Sequence, residues 1–139
     1  MTFEFLDHTA DIKIRAKGKT LVDALSESGK ALYTAIAGES KIEAKTVKEF
    51  TIKIHKPEML VHHFLTELIF LFSTEHFLAS KFDLDLKEAI GYKLTARVSG
   101  EIYDPKKHKL LKEVKAATYH ELKVAQENNG WVIEVVCDT

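Results

Sequence analysis

Residues 3–17 read FEFLDHTADIKIRAK, and the rest of the chain is organised around the polar bend inside this stretch. Phe3 and Phe5 alternate with other residues before the bend. After it, apolar and basic side chains alternate over residues 12–17, which is the pattern of a strand with one buried face. The stretch therefore predicts two strands joined by a bend at residues 7–11.

Two helices are predicted downstream of these strands. Thr20 stands three residues before Asp23 and opens a row of apolar residues at helical spacing, and Gly38 stands where a helix would stop. Pro57 suits a first helical position, and a broad apolar stripe follows it. We expect the second helix to be the central element of the core.

The remaining segments alternate with a period of two. We predict strands over residues 47–55, 82–86, 92–98, 114–124 and 131–137, with turns at residues 89–91 and 128–130. Together with the two helices, this pattern predicts an α+β fold in which two helices pack on a mainly antiparallel sheet.

Length and composition indicate a single domain of ordinary globular composition. The 139 residues suit a single domain, residues 1–139, with 45% hydrophobic residues and a net charge of −1. Cys137 is the only cysteine, and neither a signal peptide nor a membrane span is visible, so we expect a cytoplasmic protein without a membrane partner. The near-neutral charge favours a protein or small-ion partner over direct binding of RNA.

The bend allows two interpretations. Asp7 and Asp11, with His8 and Thr9 between them, offer oxygen and nitrogen ligands that a turn could bring to one point. Alternatively, Asp7 and Thr9 only cap the turn through side-chain hydrogen bonds.

The two ends of the chain suggest a more specific site. Asp11 starts a strand and Asp138 ends one, and antiparallel neighbours place a start beside an end. Two carboxylates brought together repel unless a proton or cation lies between them. An oxygen-only site of this kind suits calcium, magnesium or manganese rather than zinc, so a divalent site is the concrete hypothesis.

Two groups of histidines need separate interpretation. Alternation places His120 on an otherwise apolar face, where a bulge or a buried, hydrogen-bonded histidine would explain it. His62, His63 and Glu67 are interpreted as a hydrated helix face, because no third zinc ligand has matching spacing. The sequence also lacks a phosphate-binding glycine loop and a nucleophile elbow.

Three separate segments resemble the archease family. Residues 7–12 (DHTADI) resemble its N-terminal signature, and residues 115–124 (KAATYHELKV) resemble its most specific block. The middle segment of the family is matched by Gly100, Glu101, Asp104 and His108, and the terminal Asp138 completes the pattern. The resemblance covers nearly the whole chain, with the segments in the expected order and spacing.

This resemblance implies a protein cofactor of the RtcB-type RNA ligase rather than an enzyme. Such a cofactor promotes guanylylation and multiple turnover of the ligase in tRNA splicing, and meets tRNA only through the ligase. The resemblance also implies a divalent cation bound by Asp11, Asp138 and Thr139. Two residues depart from the family pattern: Lys13 replaces a common glycine, and Thr139 replaces a usual terminal isoleucine. A backbone oxygen of Thr139 can still act as a ligand.

We expect the metal-bearing end of the sheet to dock at the active-site mouth of the ligase. Lys115 and His120 would act there together with the ion, and Asp7 and His8 would belong to the same surface. The rival hypothesis is a stand-alone metal-dependent hydrolase, in which Asp11 and Asp138 hold the ion and His120 is the general base. A third hypothesis, a general chaperone or RNA-binding module, is weakened by the near-neutral charge.

Overall fold

The computed structural model describes residues 1–8 and 11–139, and this part of the chain forms eight strands and two helices. In chain order the elements are β1 (Thr2–Leu6), β2 (Ile12–Gly18), α1 (Leu21–Ala37), β3 (Thr46–Ile54), α2 (Pro57–Glu75), β4 (Phe77–Ala89), β5 (Gly91–Ile102), β6 (Ala116–Ala117), β7 (Lys123–Glu127) and β8 (Gly130–Asp138).

The strands form two antiparallel sheets rather than one. The larger sheet has the order β1-β2-β8-β6, and β7 also pairs with β8. Strand β2 lies along one edge of β8, whereas β6 and β7 share its other edge, one beside each end. The smaller sheet has the order β3-β5-β4. Every strand pair in both sheets is antiparallel.

The two helices join the sheets through one hydrophobic core. Helix α1 packs on β2, β4 and β8, and α2 packs on β3, β4 and β6. The core includes fully buried side chains from both sheets and both helices, for example Ile14, Leu25, Phe64 and Leu94. The α+β architecture predicted from the sequence is therefore confirmed, with the refinement that its strands divide between two sheets.

Local signals explain where the helices begin and end. The Thr20 hydroxyl accepts a hydrogen bond from the Asp23 N–H at 3.1 Å. Gly38 has a φ of +63° and donates its N–H to the Thr34 carbonyl oxygen, a conformation that glycine adopts without steric cost. Helix α2 begins at Pro57, as predicted. In the described part of the chain, no helix is both long and apolar enough to cross a membrane.

The last hairpin is confirmed, with its turn shifted by one residue. Its central residues are Asn128 and Asn129, with φ values of 50° and 62°, and Gly130 already belongs to β8. A two-residue loop with positive φ at both positions matches the right-handed twist of the flanking strands, and asparagine tolerates this conformation well.

The predicted continuous strand over residues 114–124 is wrong. Only β6 and β7 form strands in this segment, and a turn separates them, closed by a hydrogen bond from the Leu122 N–H to the Tyr119 carbonyl oxygen. Glu121 in this turn has a φ of 55°, which breaks the alternation of faces. His120 consequently projects outward, with 69% of its side chain exposed. Of the two explanations for His120, the buried, hydrogen-bonded histidine is therefore wrong.

Candidate metal centre and partner surface

Asp11 and Asp138 lie at the same end of the larger sheet. The register pairs Ile12 with Cys137, so the residues one step further out, Asp11 and Asp138, lie across from each other on neighbouring strands. The Asp11 side chain is 31% exposed, and Asp138 is exposed. The register thus places the two residues at the same end of the sheet, while metal binding by their carboxylates stays a prediction.

Asp11 and Asp138 both influence the pKa of Cys137, which lies next to Asp138 in the chain. Burial is the main factor that raises the pKa of its thiol to about 12, and the negative charges of Asp138 and Asp11 raise it further. Both carboxylates therefore act on the same buried sulfur. Cys137 itself is a buried residue of the last strand, as expected, and its thiol stays protonated at neutral pH.

Strand β6 and the residues next to it lie beside the end of β8, on the edge opposite to β2. Ala116 lies opposite Asp138, and the Lys115 N–H donates to the Asp138 carbonyl oxygen at 2.8 Å. The N–H and hydroxyl of Thr118 both donate to the Val136 carbonyl oxygen, at 3.0 and 2.9 Å. These bonds fix the backbone of Lys115 beside Asp138. Its side chain is exposed and forms no ion pair with another residue of the described ranges.

The donor set at this end fits a hard divalent cation. The candidate donors are two carboxylates and the main-chain oxygens of Thr139, all of which are hard ligands. Within residues 1–8 and 11–139, Asp11 has one ion-pair partner, the His8 Nδ1 at 4.0 Å, and the Asp138 side chain has none. No lysine or arginine of these residues thus pairs with either carboxylate, so their negative charge is available to an added cation.

The turn after β6 places His120 next to the opening bend. The rings of His8 and His120 meet edge to face, with centroids 6.1 Å apart. Both histidines contact Glu121, whose Oε2 lies 3.2 Å from the His8 Nε2 and 3.5 Å from the His120 Nε2. The structure therefore joins two residues that the sequence analysis had selected separately. Asp7 is exposed, and the suggested capping role of Thr9 lies outside the described residues.

Glu121 was missed as a candidate by the sequence analysis. In a continuous strand, Glu121 would point away from His120, and only the turn brings the two side chains to one place. The block of residues that resembles the archease family contains Glu121, but nothing in its spacing separates it from other surface glutamates.

Helix α2 contacts β6 and the turn after it through His62. The His62 ring stacks on Tyr119, with centroids 4.1 Å apart and an interplanar angle of 11°, and its Nε2 lies 3.0 Å from the Ala117 carbonyl oxygen. Burial lowers the pKa of His62, so the neutral ring donates its Nε2–H to that carbonyl oxygen. The expectation of a hydrated helix face is therefore wrong for His62, although His63 is exposed.

The middle segment of the archease-like pattern forms a buried cluster in the smaller sheet. The His108 Nδ1 accepts a hydrogen bond from the Asp104 N–H at 2.9 Å, so the neutral ring carries its proton on Nε2, which lies 3.2 Å from a Glu101 oxygen. Burial of Glu101 favours its neutral form, but hydrogen bonds from the Glu43 N–H, Lys107 and His108 prevail and lower its pKa to about 2. The cluster anchors the loop after β5, which is a structural role.

The fold and the site together define a small α+β protein whose larger sheet ends at two aspartates, bordered by His8 and by the backbone of Lys115. The sequence model of the family described as "Archease protein family (MTH1598/TM1083)" matches residues 3–139 of this chain. The chain belongs to the archease family.

Named relatives agree with this assignment over nearly the whole chain. The "Protein archease" of Pyrococcus abyssi is 37% identical over 138 residues, covering 98% of this chain and 97% of the relative. That of Methanosarcina barkeri is 36% identical over 138 residues, covering 98% and 94%.

Two solved structures have the same fold. The solution structure of protein 1598 of Methanobacterium thermoautotrophicum has a TM-score of 0.87 and 30% identity, covering 99% of this chain and 98% of the other. The crystal structure of a Thermotoga maritima protein, described as "an archease, possible chaperone", has a TM-score of 0.64 and 23% identity, covering 96% and 94%. At 23% identity, the second likeness supports the fold alone.

Proposed function

We propose that this protein is a metal-binding activator of an RtcB-type RNA ligase in the cytoplasm, and that it promotes ligase guanylylation and multiple turnover during tRNA ligation. One observation carries the proposal: the register that sets Asp11 of the opening bend against Asp138 at the end of the chain. Family membership supports it, because the resemblance to archease implies both the ligase partner and a cation at these positions.

Asp11, Asp138 and the main-chain oxygens of Thr139 would hold the cation. The oxygen-only donor set favours calcium, manganese or magnesium. The bound ion supplies positive charge at an exposed sheet end, where it can attract phosphate oxygens. Without the ion, the same end presents adjacent negative charges that repel a nucleotide.

The side chains around the carboxylates would contact the ligase. The Lys115 ammonium is exposed, and its backbone is fixed beside Asp138, so it can pair with a phosphate or a carboxylate of the partner. His8, His120 and Asp7 extend the same surface along the opening bend and the turn after β6. In this account tRNA is met only through the ligase, and no membrane is involved.

The experiment is a guanylylation assay of the purified ligase with GTP and manganese, with and without this chain. We expect the wild-type chain to accelerate formation of ligase-guanylate and to allow more than one ligation per ligase molecule. Asp138→Asn should activate poorly, whereas Asp85→Asn, which removes one exposed carboxylate from β4, should activate normally. Equal activation by both variants would contradict the proposal.

The same preparation tests the two alternatives. A metal-dependent hydrolase would cleave a phosphoester in the absence of ligase, and Asp11→Asn or His120→Ala would abolish that turnover. A general chaperone would suppress aggregation of an unrelated unfolded protein, and the Asp138→Asn variant would retain that activity. We expect neither phosphoester turnover nor suppression of aggregation.

A further inference from the structure

Three potential metal ligands converge beside the carboxylate pair. One ring nitrogen from each of His8 and His120 and one carboxylate oxygen of Glu121 lie within 4.8 Å of one another. The two Nε2 atoms approach the same oxygen, Oε2 of Glu121, at 3.2 Å and 3.5 Å. The three side chains come from the opening bend and from the turn after β6, which are far apart in sequence.

These separations suit a small transition-metal ion. Bonds of about 2.1 Å in a tetrahedral site place neighbouring ligand atoms about 3.4 Å apart. Two of the three pairs in the cluster already lie close to this distance. An ion would therefore require only small rotations of side chains, two of which are exposed at the surface.

The second nitrogen of His8 provides an independent indication. Its Nδ1 is buried and has no hydrogen-bond partner among the described residues, but it faces the Asp11 Oδ2 at 4.0 Å. Metal-bound histidines commonly donate their other ring N–H to a carboxylate, which fixes the tautomer and orients the metal-binding nitrogen. A shift of about 1 Å would complete this hydrogen bond, with Nε2 left to bind the ion.

We propose that His8, His120 and Glu121 form a second metal site, which takes a divalent transition metal such as zinc. Two imidazoles and one carboxylate favour this class of ion, whereas calcium and magnesium prefer oxygen ligands alone. Three protein ligands leave a fourth position for water or for a group of a partner. The site is distinct from the one formed by Asp11, Asp138 and Thr139, and Asp11 links the two by facing His8.

Lys13 opposes metal binding at this site. Its Nζ lies 3.8 Å from Glu121 Oε2, the same oxygen that both histidines approach, and also 3.8 Å from Glu134 Oε1. A bound cation would repel the ammonium, which can remain paired with Glu134. Removing this positive charge while keeping the length of the side chain, as in Lys13→Met, should therefore tighten metal binding.

Cobalt is a suitable probe, because Co²⁺ replaces zinc and its visible absorption reports nitrogen ligation and a low coordination number. The purified full-length chain is titrated with Co²⁺, and zinc is then added to displace it. We expect wild-type protein to bind one Co²⁺ at this site with an intense visible band. His120→Ala and Glu121→Gln should each weaken binding at least about tenfold, and Lys13→Met should strengthen it.

Matched variants make the result specific. His63→Ala removes an exposed histidine on α2 and should leave the cobalt titration unchanged. Asp138→Asn should also retain the band, because Asp138 is a ligand of the other site only. Circular dichroism checks the fold of each variant.

The proposal is overturned if His120→Ala and Glu121→Gln bind Co²⁺ as the wild type does. It is overturned equally if Asp138→Asn abolishes the band, since the chain would then have a single shared site. Neither result depends on the ligase. The titration therefore tests the second metal site separately from the proposed activation of the ligase.

Discussion

Replacing Asp11 by asparagine should change the stability of the protein in opposite directions with and without a divalent cation. Asp11 and Asp138 lie across from each other on neighbouring strands, and in the described part of the chain no lysine or arginine pairs with either of them. Without a cation, their like charges repel, and Asp11→Asn removes this repulsion. With a cation, the same variant loses one of its charged ligands.

The loss of cation binding should be larger than the relief of charge repulsion. Like charges directly opposite each other in an antiparallel pair cost about 0.2–1 kcal/mol, so in chelator the variant should be more stable by roughly this amount. A cation at one hundred times its dissociation constant stabilises the wild type by about 2.7 kcal/mol. If the variant binds at least tenfold more weakly, it loses about 1.4 kcal/mol or more of this gain, which corresponds to several degrees in Tm.

The assay is thermal unfolding of both proteins in chelator and in calcium or manganese, at pH 8, where most histidines with an ordinary pKa are neutral. The Asp11→Asn protein should melt higher than wild type in chelator and lower in cation. Asp85→Asn is the matched control and should show the same cation shift as wild type. An equal cation shift for Asp11→Asn would refute the assignment of Asp11 as a ligand.

Three further predictions address other parts of the structure. Lys115→Ala should fold normally and activate the ligase poorly, while Lys112→Ala, another exposed lysine of the same segment, should activate it fully; comparable activation by both would contradict a contact of Lys115 with the ligase. A tag fused after Thr139 adds bulk beside Asp138 and should impair cation binding in calorimetry, whereas an N-terminal tag should not. Glu101 has a folded pKa of about 2 against an ordinary value of 4.5, so its ionised form stabilises the fold above about pH 4.5 and this contribution is lost as the pH falls toward 2. Glu101→Gln should therefore lower the free energy of unfolding by about 2 kcal/mol at pH 7 in denaturant titrations, and the difference from wild type should shrink in acid; a constant difference would rule out this linkage.

The elements of the fold that local signals control were predictable from the sequence. The first turn of α1 follows from the Thr20 hydroxyl and its end from the positive φ of Gly38, and both depend on residues within one turn of the helix. The adjacency of Asp11 and Asp138 was predictable only on the condition that β2 and β8 are neighbours, because antiparallel pairing sets the start of one strand beside the end of the next.

The segment between β6 and β7 was not predictable from periodicity. The residues from Val114 to Val124 alternate well enough for a strand, but Glu121 adopts a positive φ, which non-glycine residues rarely do. The conformation is held by tertiary contacts, including the stacking of Tyr119 on His62 and the approach of Glu121 to His8. Such contacts connect distant parts of the chain, and alternation within a single segment carries no information about them.

The division into two sheets also depends on long-range pairing. Alternating segments identify strands but not their partners, and here β8 pairs with β2, β6 and β7 while β5 pairs with β3 and β4. Glu121 meets the two histidines because of this pairing: β6 lies beside the end of β8, and this places the turn after β6 next to the opening bend.

The cation dependence of ligase activation tests the proposed function most directly. Guanylylation of the ligase is measured at a fixed manganese concentration while calcium is varied, and binding of calcium to the isolated chain is measured in the same buffer. We expect the midpoint of activation to match the midpoint of binding, and Asp138→Asn to shift both to higher calcium. Full activation by Asp138→Asn at the wild-type midpoint would contradict the claim that a cation at this sheet end enables the protein to activate the ligase.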